Sequence, residues 1–147
     1  MSALLPSPAT PYLGHKACPL FLALLAIGTI VPGFIHAFLP DGGAGTIAGL
    51  DLSAGGSIII ATFAWAGATQ IAYGTLMLLV ALRYRALVPL FFLIILMERS
   101  LIALNSWVLK PSGTGHHPTE AYATLALLPL IAAALYFSLK PRPDAAS

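Results

Sequence analysis

The chain has 147 residues, of which 59% are hydrophobic and only 8% are charged. A water-soluble domain carries about 25% charged residues, so this composition excludes an ordinary soluble globular fold and indicates an integral membrane protein. The formal net charge is +2. No basic patch interleaved with aromatic residues is present, which excludes nucleic acid as a partner. The single cysteine, Cys18, excludes an internal disulfide and a cysteine-rich metal site.

Four apolar stretches are long enough to cross a membrane, because a spanning helix needs about 20 mostly apolar residues. We predict helices over about residues 18–39, 57–82, 86–109 and 121–139. The first is treated as a helix rather than a cleaved signal, since it is longer than a signal core and lacks a small-residue cleavage site. The connections are short, so residues 1–147 are predicted to form one all-α, four-helix membrane bundle.

Helix 1 and the loop after it carry the first candidate for a site. His36 lies one turn from the end of helix 1 in an otherwise apolar stretch, where it could cap the helix, hydrogen-bond a neighbouring helix or ligate a cofactor. The loop that follows, "PDGGAGTIAGLDLSAGG", is rich in glycine and has a permissive backbone. Its few apolar residues predict a segment that dips into the mouth of the bundle.

Helix 2 contains two rows of small residues. Ala64, Ala68 and Ala72 recur every four residues, and Gly67 and Gly74 form a second row. Small residues allow another helix to approach closely, so helix 2 is predicted to occupy the centre of the bundle.

Helix 2 also carries Gln70, whose side-chain amide needs a partner on another helix or on a ligand when it lies in hydrocarbon. Tyr73 and Trp65 lie on the same helix. We group all three as candidate ligand-binding residues.

Helix 3 contains an adjacent acid and base in the run "FFLIILMERSLIALNSW". An unpaired charge deep in the bilayer costs ~2.5–3.5 kcal/mol on insertion scales, so Glu98 and Arg99 are expected to face the protein interior. They point about 100° apart around the helix, so no direct bridge between them is expected. The structural alternative is an ionic clamp that fixes helix register, with Arg99 reaching a loop aspartate.

Depth and helical period bring further polar residues to the same region. Gln70 and Glu98 both fall near the middle of the membrane, and Asn105 lies on nearly the same face as Glu98. Gln70, Glu98, Arg99 and Asn105 are therefore expected to form one polar cluster lining a single cavity.

The last loop contains two adjacent histidines, His116 and His117. They lack the i, i+4 spacing of a helical metal motif, and a third ligand would have to come from Asp41, Asp51 or His36. Solvated loop histidines are the alternative interpretation. No metal is assigned, and the sequence identifies no cofactor.

The basic residues predict the topology, because lysine and arginine near helix ends are retained in the cytoplasm. One face of the predicted bundle carries Lys16, Arg83, Arg85, Lys140 and Arg142, and the other carries Lys110. Both termini are therefore predicted to be cytoplasmic.

The run "AGATQIAYGTLMLLVALRYRALVPLFFLIILMERSLIALNSW", which covers helices 2 and 3, resembles small uncharacterised four-helix bacterial inner-membrane proteins of a loosely DoxX-like kind. The likeness lies in the glycines, the basic turn between the helices and the charged residues late in the next helix. It implies a four-helix fold in a bacterial inner membrane, and it implies no activity, cofactor or site residue.

Three functions fit these features. The favoured one is a membrane protein that binds a hydrophobic small molecule, or an accessory subunit of a larger membrane complex. The alternative is an enzyme acting on a lipid or isoprenoid, with Glu98 as general acid/base and Arg99 or Asn105 holding an oxyanion. The third is a proton-coupled carrier, which would need a dimer to supply an inverted repeat.

Whether the protein is an enzyme is left open. The expected partners are membrane lipids, a lipophilic ligand, and a second copy or a larger complex. The candidate ligand-binding residues are His36, Trp65, Gln70, Tyr73, Glu98, Arg99 and Asn105, and the candidate catalytic residues are Glu98, Arg99 and Asn105.

Overall fold

The computed structural model describes residues 10–111, 115 and 117–142. Its main elements are four α-helices: α1 (Ala17–Phe38), α2 (Gly56–Leu82), α3 (Val88–Leu104) and α4 (Thr119–Leu139). A short 3-10 helix, Arg85–Leu87, leads into α3, and a π-helical turn, Asn105–Leu109, extends it. No described residue lies in a strand. The predicted all-α class with four long helices is therefore confirmed.

All four helices are long and apolar enough to span a membrane, with α3 doing so together with its flanking turns over Arg85–Leu109. The bounds predicted from sequence lie within two residues of the observed ones. Large apolar side chains cover the outside of the helices, including Leu20, Phe38, Ile58, Met97 and Leu130. Such a surface suits lipid and not water, because it offers water no polar groups.

The helices form two antiparallel pairs, α1 with α2 and α3 with α4. The α1–α2 pair is close because glycines remove the side chains between the backbones. A Cβ placed on Gly67 would lie 2.6 Å from the carbonyl oxygen of Gly33, and one on Gly74 would lie 3.0 Å from that of Ala26. The two helix backbones therefore touch at two points seven residues apart.

Two sequence expectations about α2 are wrong. Ala68 and Ala72 are exposed, so the glycine row and not the alanine row forms the helix contact. Helix α2 packs mainly against α1 and touches α3 little, so it does not occupy the centre of the bundle. The reason is steric: glycine permits a closer backbone approach than alanine, and the Gly67–Gly74 face fixes which side of α2 meets its neighbour.

The buried core lies at one end of the bundle. Fully buried Leu22, Met77, Phe92 and Ile131 come from four different helices and meet there. The segment before α1 and the end of α4 lie at this same end, because the backbone N–H of His15 donates to the carbonyl of Phe137 over 3.2 Å. We call it the termini end. The opposite end, which carries the 39–55 loop, is called the loop end.

Candidate functional site

A cavity of about 340 Å³ lies at the loop end, beyond the apolar core. Its walls come from α1, the 39–55 loop, α2 and the beginning of α4. The lining is mainly apolar, with a few polar groups, and consists of Pro32, Ile35, His36, Gly43, Ile47, Ala48, Phe63, Gln70, Pro118, Thr119, Glu120 and Ala123. A largely apolar cavity with few, separated polar groups is the usual form of a small-molecule site.

His36 is held in one orientation at the wall of this cavity. Its Nδ1 donates to the carbonyl oxygen of Gly42 over 2.7 Å, since a carbonyl can only accept. Its ring meets Phe63 edge-on, with 5.0 Å between the ring centroids. In the neutral ring Nε2 is then the hydrogen-bond acceptor. The sequence suggested a hydrogen bond to a neighbouring helix, and the observed hydrogen bond goes instead to the loop that follows α1.

Gln70 lies on the α2 wall of the cavity, opposite the helix face that carries His36. Its Oε1 is buried and has no hydrogen-bond partner among the described residues. A buried polar atom without a partner costs about 1–3 kcal/mol, so such atoms in native proteins call for an explanation. The buried, unpartnered acceptor atom of Gln70, on a residue that lines a mainly apolar cavity, is the strongest chemical signal at this site.

The 39–55 loop closes the loop end of the cavity through Gly43, Ile47 and Ala48. Its shape is set by Asp41, whose carboxylate accepts the backbone N–H groups of Gly43 and Thr46 over 2.9 and 2.8 Å. Gly43 has a φ of +73°, a conformation that favours glycine. The loop therefore covers the mouth of the bundle, where its apolar residues were predicted to dip.

The hydrogen bonds to Asp41 stabilise its ionised form and hold the pKa of that carboxyl below its ordinary value. A depressed pKa in the folded state gives a stabilising effect that is present above the unfolded pKa of about 3.9 and is lost as pH falls through the folded pKa. We expect hydrogen-exchange protection of the Gly43 and Thr46 amides to fall in that acid range. Asp41→Asn should lower this protection at pH 6 and remove its acid dependence.

Asp51→Asn is the matched control for this prediction, because Asp51 caps only its own turn through the N–H of Ser53 over 2.9 Å. That variant should leave protection of the Gly43 and Thr46 amides unchanged. Equal protection of these amides in Asp41→Asn and the unmodified protein would show that the carboxylate does not shape the loop.

Arg99 links α3 to α4 near the cavity. Its Nη1 donates to the Oε1 of Glu120, and it lies 3.4 Å from the hydroxyl of the fully buried Thr124. Glu120 lies in the first turn of α4, where the helix dipole favours an acidic side chain. It also lines the cavity, so the ion pair forms part of the cavity's polar rim. The partner of Arg99 is therefore a glutamate at the start of α4, and not the loop aspartate expected for the ionic clamp.

Glu98 is also near Arg99, at 3.9 Å from its Oε2 to the Nε. This ion pair was not expected from the 100° separation, and it forms because both side chains are long enough to reach around the helix. The Oε2 of Glu98 and the hydroxyl of Tyr73 are buried without hydrogen-bond partners among the described residues. Tyr73 lies close enough to Glu98 and Arg99 to interact with their charges.

Asn105 satisfies itself on its own helix, because its Nδ2 donates to the carbonyl of Leu101 over 2.8 Å. It begins the π-helical turn, a feature that is frequent at functional sites and that no sequence pattern indicated. With Glu98, Leu101 and Ser106 it lines an open groove of about 400 Å³.

The single cavity expected from sequence is therefore divided in two. Gln70 lines the cavity at the loop end, and Glu98 and Asn105 line the separate groove on α3. The division follows from helix pairing, because α2 packs against α1 and directs Gln70 toward α1 and α4. Arg99 and Glu120 connect the two regions through their ion pair.

The remaining candidate residues lie apart from the cavity. Trp65 is 79% exposed on the outer surface of α2. His117 stacks on Trp107, with ring centroids 4.1 Å apart, and His116 lies outside the described residues. Within residues 10–111, 115 and 117–142, no three His, Cys, Asp or Glu side chains lie close enough together to hold a metal ion.

Sequence reasoning missed Glu120 and Thr124 as partners of Arg99. Their spacing of four residues, which places both on one face of α4, was the available signal. It also missed the contact of the loop carbonyl with His36, for which the sequence carried no signal.

The fold and site define an all-helical protein with four helices able to span a membrane and a small, mainly apolar cavity near one end. Comparison of the chain with models of protein families, with curated proteins and with solved structures gives no match. The resemblance to DoxX-like proteins therefore stays a prediction.

Proposed function

We propose that the protein is a multi-pass membrane protein that binds a small lipophilic molecule in the loop-end cavity. The observation that carries this proposal is that Gln70 lines a mainly apolar cavity and has a buried Oε1 with no partner among the described residues. A ligand group that donates a hydrogen bond would remove the cost of that unpaired atom. The cavity volume of about 340 Å³ lies in the range of small-molecule sites.

The polar groups of the cavity indicate the chemistry of the ligand head. Gln70 Oε1 is an acceptor, as is His36 Nε2 when the ring is neutral, and the carboxylate of Glu120 is a third acceptor on the rim. Ile35, Ile47 and Phe63 provide apolar contact for the rest of the molecule. The best-matched ligand is an apolar body with one hydroxyl or amine donor.

A pair of probes that differ only in the donor tests this proposal. A long-chain phenol should raise the thermal unfolding midpoint in detergent more than its methyl ether, because the ether leaves the Gln70 acceptor unpaired. Gln70→Leu should bind both probes equally. Thr69→Val is the control, since Thr69 lies on the exposed face of α2 and bonds its own helix at the carbonyl of Trp65. If Gln70→Leu still binds the phenol more tightly than the methyl ether, Gln70 is excluded as the group that binds the donor.

A second candidate function is acid–base catalysis on a lipid substrate at the groove on α3. It is favoured by the Oε2 of Glu98 and the hydroxyl of Tyr73, which are both buried without hydrogen-bond partners among the described residues. A carboxyl and a phenol near one arginine are suitable groups for proton transfer. Glu98→Gln separates the two functions, because it should abolish turnover while leaving ligand binding at Gln70 intact.

We further propose that the protein lies in a bacterial inner membrane with both termini in the cytoplasm. The orientation is supported by the strong excess of basic residues at the termini end, which carries Lys16, Arg83, Arg85, Lys140 and Arg142. The choice of membrane rests on the resemblance to bacterial inner-membrane proteins.

Cysteine labelling in spheroplasts tests this orientation. The buried native thiol is first removed as Cys18→Ser. Ser53→Cys, in the exposed part of the loop, should then react with a membrane-impermeant maleimide in intact spheroplasts. Thr10→Cys, at the termini end, should react only after lysis. The opposite labelling pattern would reverse the proposed orientation.

A further inference from the structure

A second depression, of about 580 Å³, lies at the termini end of the bundle, far from the ligand cavity. Its lining contains four cationic side chains: Lys16, Arg83, Arg85 and Arg142. None of the described residues that line it carries a carboxylate. The described carboxylates lie in the 39–55 loop, late in α3 and in the first turn of α4. The depression therefore brings four cationic side chains together.

The four cations reach the depression from separate parts of the chain. Lys16 precedes α1, Arg83 follows α2, Arg85 begins the 3-10 helix and Arg142 follows α4. They come together only in the folded bundle. The cluster therefore differs from the basic residues that flank a single membrane helix.

The walls of the depression are held in place by hydrogen bonds and by one close backbone contact. The N–H of Arg142 donates to the carbonyl of Leu13 over 3.0 Å, and the hydroxyl of Tyr12 donates to the carbonyl of His15 over 3.1 Å. Gly14 packs directly against the backbone carbonyl of Ser138. The segment before α1 is thus held against the end of α4, and Tyr12 and Arg142 are placed in the lining.

The orientation of one arginine adds to this arrangement. The Nε of Arg85 donates to the carbonyl of Ala81 over 3.3 Å. This hydrogen bond restricts the position of the Arg85 guanidinium group. Guanidinium groups bind phosphate oxygens with paired hydrogen bonds, and several of them around one depression suit a phosphate-bearing anion. Leu82 and Pro19 add an apolar margin at the helix ends.

We propose that this depression binds the headgroup of an anionic phospholipid. The position favours a lipid over a dissolved anion, because the depression lies where helices able to span a membrane end, at the level of the headgroups. Basic pockets between membrane helices are suited to anionic headgroups. The acyl chains of the bound lipid would extend from the depression across the apolar margin, toward the lipid-facing side of the helices.

The test is a titration of the full-length protein in neutral detergent with dioctanoyl phosphatidylglycerol, dioctanoyl phosphatidylcholine and inorganic phosphate, followed by calorimetry. Detergent solution makes the result independent of membrane orientation. The anionic lipid should bind about tenfold or more tightly than the zwitterionic one, and more weakly as salt is raised. Arg83→Gln and Arg85→Gln should each weaken its binding about fivefold.

Lys110→Gln is the matched control, because Lys110 is an exposed cation after the π-helical turn, outside the depression. It should leave the affinity unchanged. The side chains of Arg83 and Arg85 are both exposed, so the two arginine variants should keep the helical circular dichroism of the unmodified protein. Lys16→Gln provides an independent third variant of the lining.

Three results would overturn the proposal. Inorganic phosphate binding as tightly as the anionic lipid would assign the depression to a dissolved anion. Equal affinity for the two lipids, or equal weakening by Lys110→Gln and the arginine variants, would show attraction to charge in general and no site.

Discussion

Replacing Gly67 with alanine is expected to lower the free energy of unfolding by about 1–3 kcal/mol, the usual cost of forcing extra atoms into a packed contact. The added Cβ would lie 2.6 Å from the carbonyl oxygen of Gly33 and 2.8 Å from the Cβ of His36. Backbone atoms of α1 cannot rotate away as a flexible side chain can, so the helices must separate. The unfolding of purified protein in mixed micelles measures the loss.

Gly28→Ala is the matched control for Gly67→Ala. Both glycines lie inside helices, but a Cβ on Gly28 would have no atom within 4 Å. Alanine has the higher helix propensity, so this variant should be unchanged or slightly more stable. Because Gly67 contacts His36, the Gly67 variant should also bind the phenol probe more weakly. Equal stability of the two variants would contradict the close α1–α2 contact.

Glu120→Ala is expected to destabilise the protein by about 1.5–3 kcal/mol, the range for a hydrogen bond to a charged group. Arg99 is mostly buried, with 14% of its side chain exposed, and its shortest contact is to Glu120. Removal of that partner leaves the guanidinium with Glu98, at 3.9 Å, and the Thr124 hydroxyl. The loss should appear as a lower thermal unfolding midpoint in detergent.

Glu98→Gln is the comparison variant, because Arg99 then keeps Glu120. We expect it to fold normally and to lose less than about 1 kcal/mol, because the Oε2 of Glu98 lies 3.9 Å from the Nε of Arg99, which is too far for a hydrogen bond. A double variant, Arg99→Met with Glu120→Met, should recover most of the loss of Glu120→Ala, since it removes the mostly buried guanidinium that Glu120→Ala leaves without its nearest partner. If Glu98→Gln proves the more damaging change, Glu98 and not Glu120 is the partner that stabilises Arg99.

The helices were predictable because a membrane imposes a length and a composition on any segment that crosses it. Helix pairing was not predictable in the same way. Gly67 and Gly74 were recognised as a small-residue row, but an alanine row one position away carried the same signal. Only the backbone distances distinguish them, since both residue types allow close approach and glycine allows the closer one.

The site was predictable in its residue types more than in its arrangement. An amide, an acid and a base in apolar helices had to find partners or a ligand, and Gln70, Glu98 and Arg99 were identified for that reason. Their depth along the helix axis placed Gln70 and Glu98 together. Depth does not specify rotation, and the α1–α2 contact turns Gln70 into a cavity that Glu98 does not line.

Native mass spectrometry of the protein, extracted in mild detergent from the membranes in which it is made, tests ligand binding at Gln70. The unmodified protein and Thr69→Val should both carry a small lipophilic adduct. Gln70→Leu should be detected without the adduct while keeping its fold. An unmodified protein without any adduct, or an adduct retained equally in Gln70→Leu, would contradict the proposal that this cavity holds a ligand through Gln70.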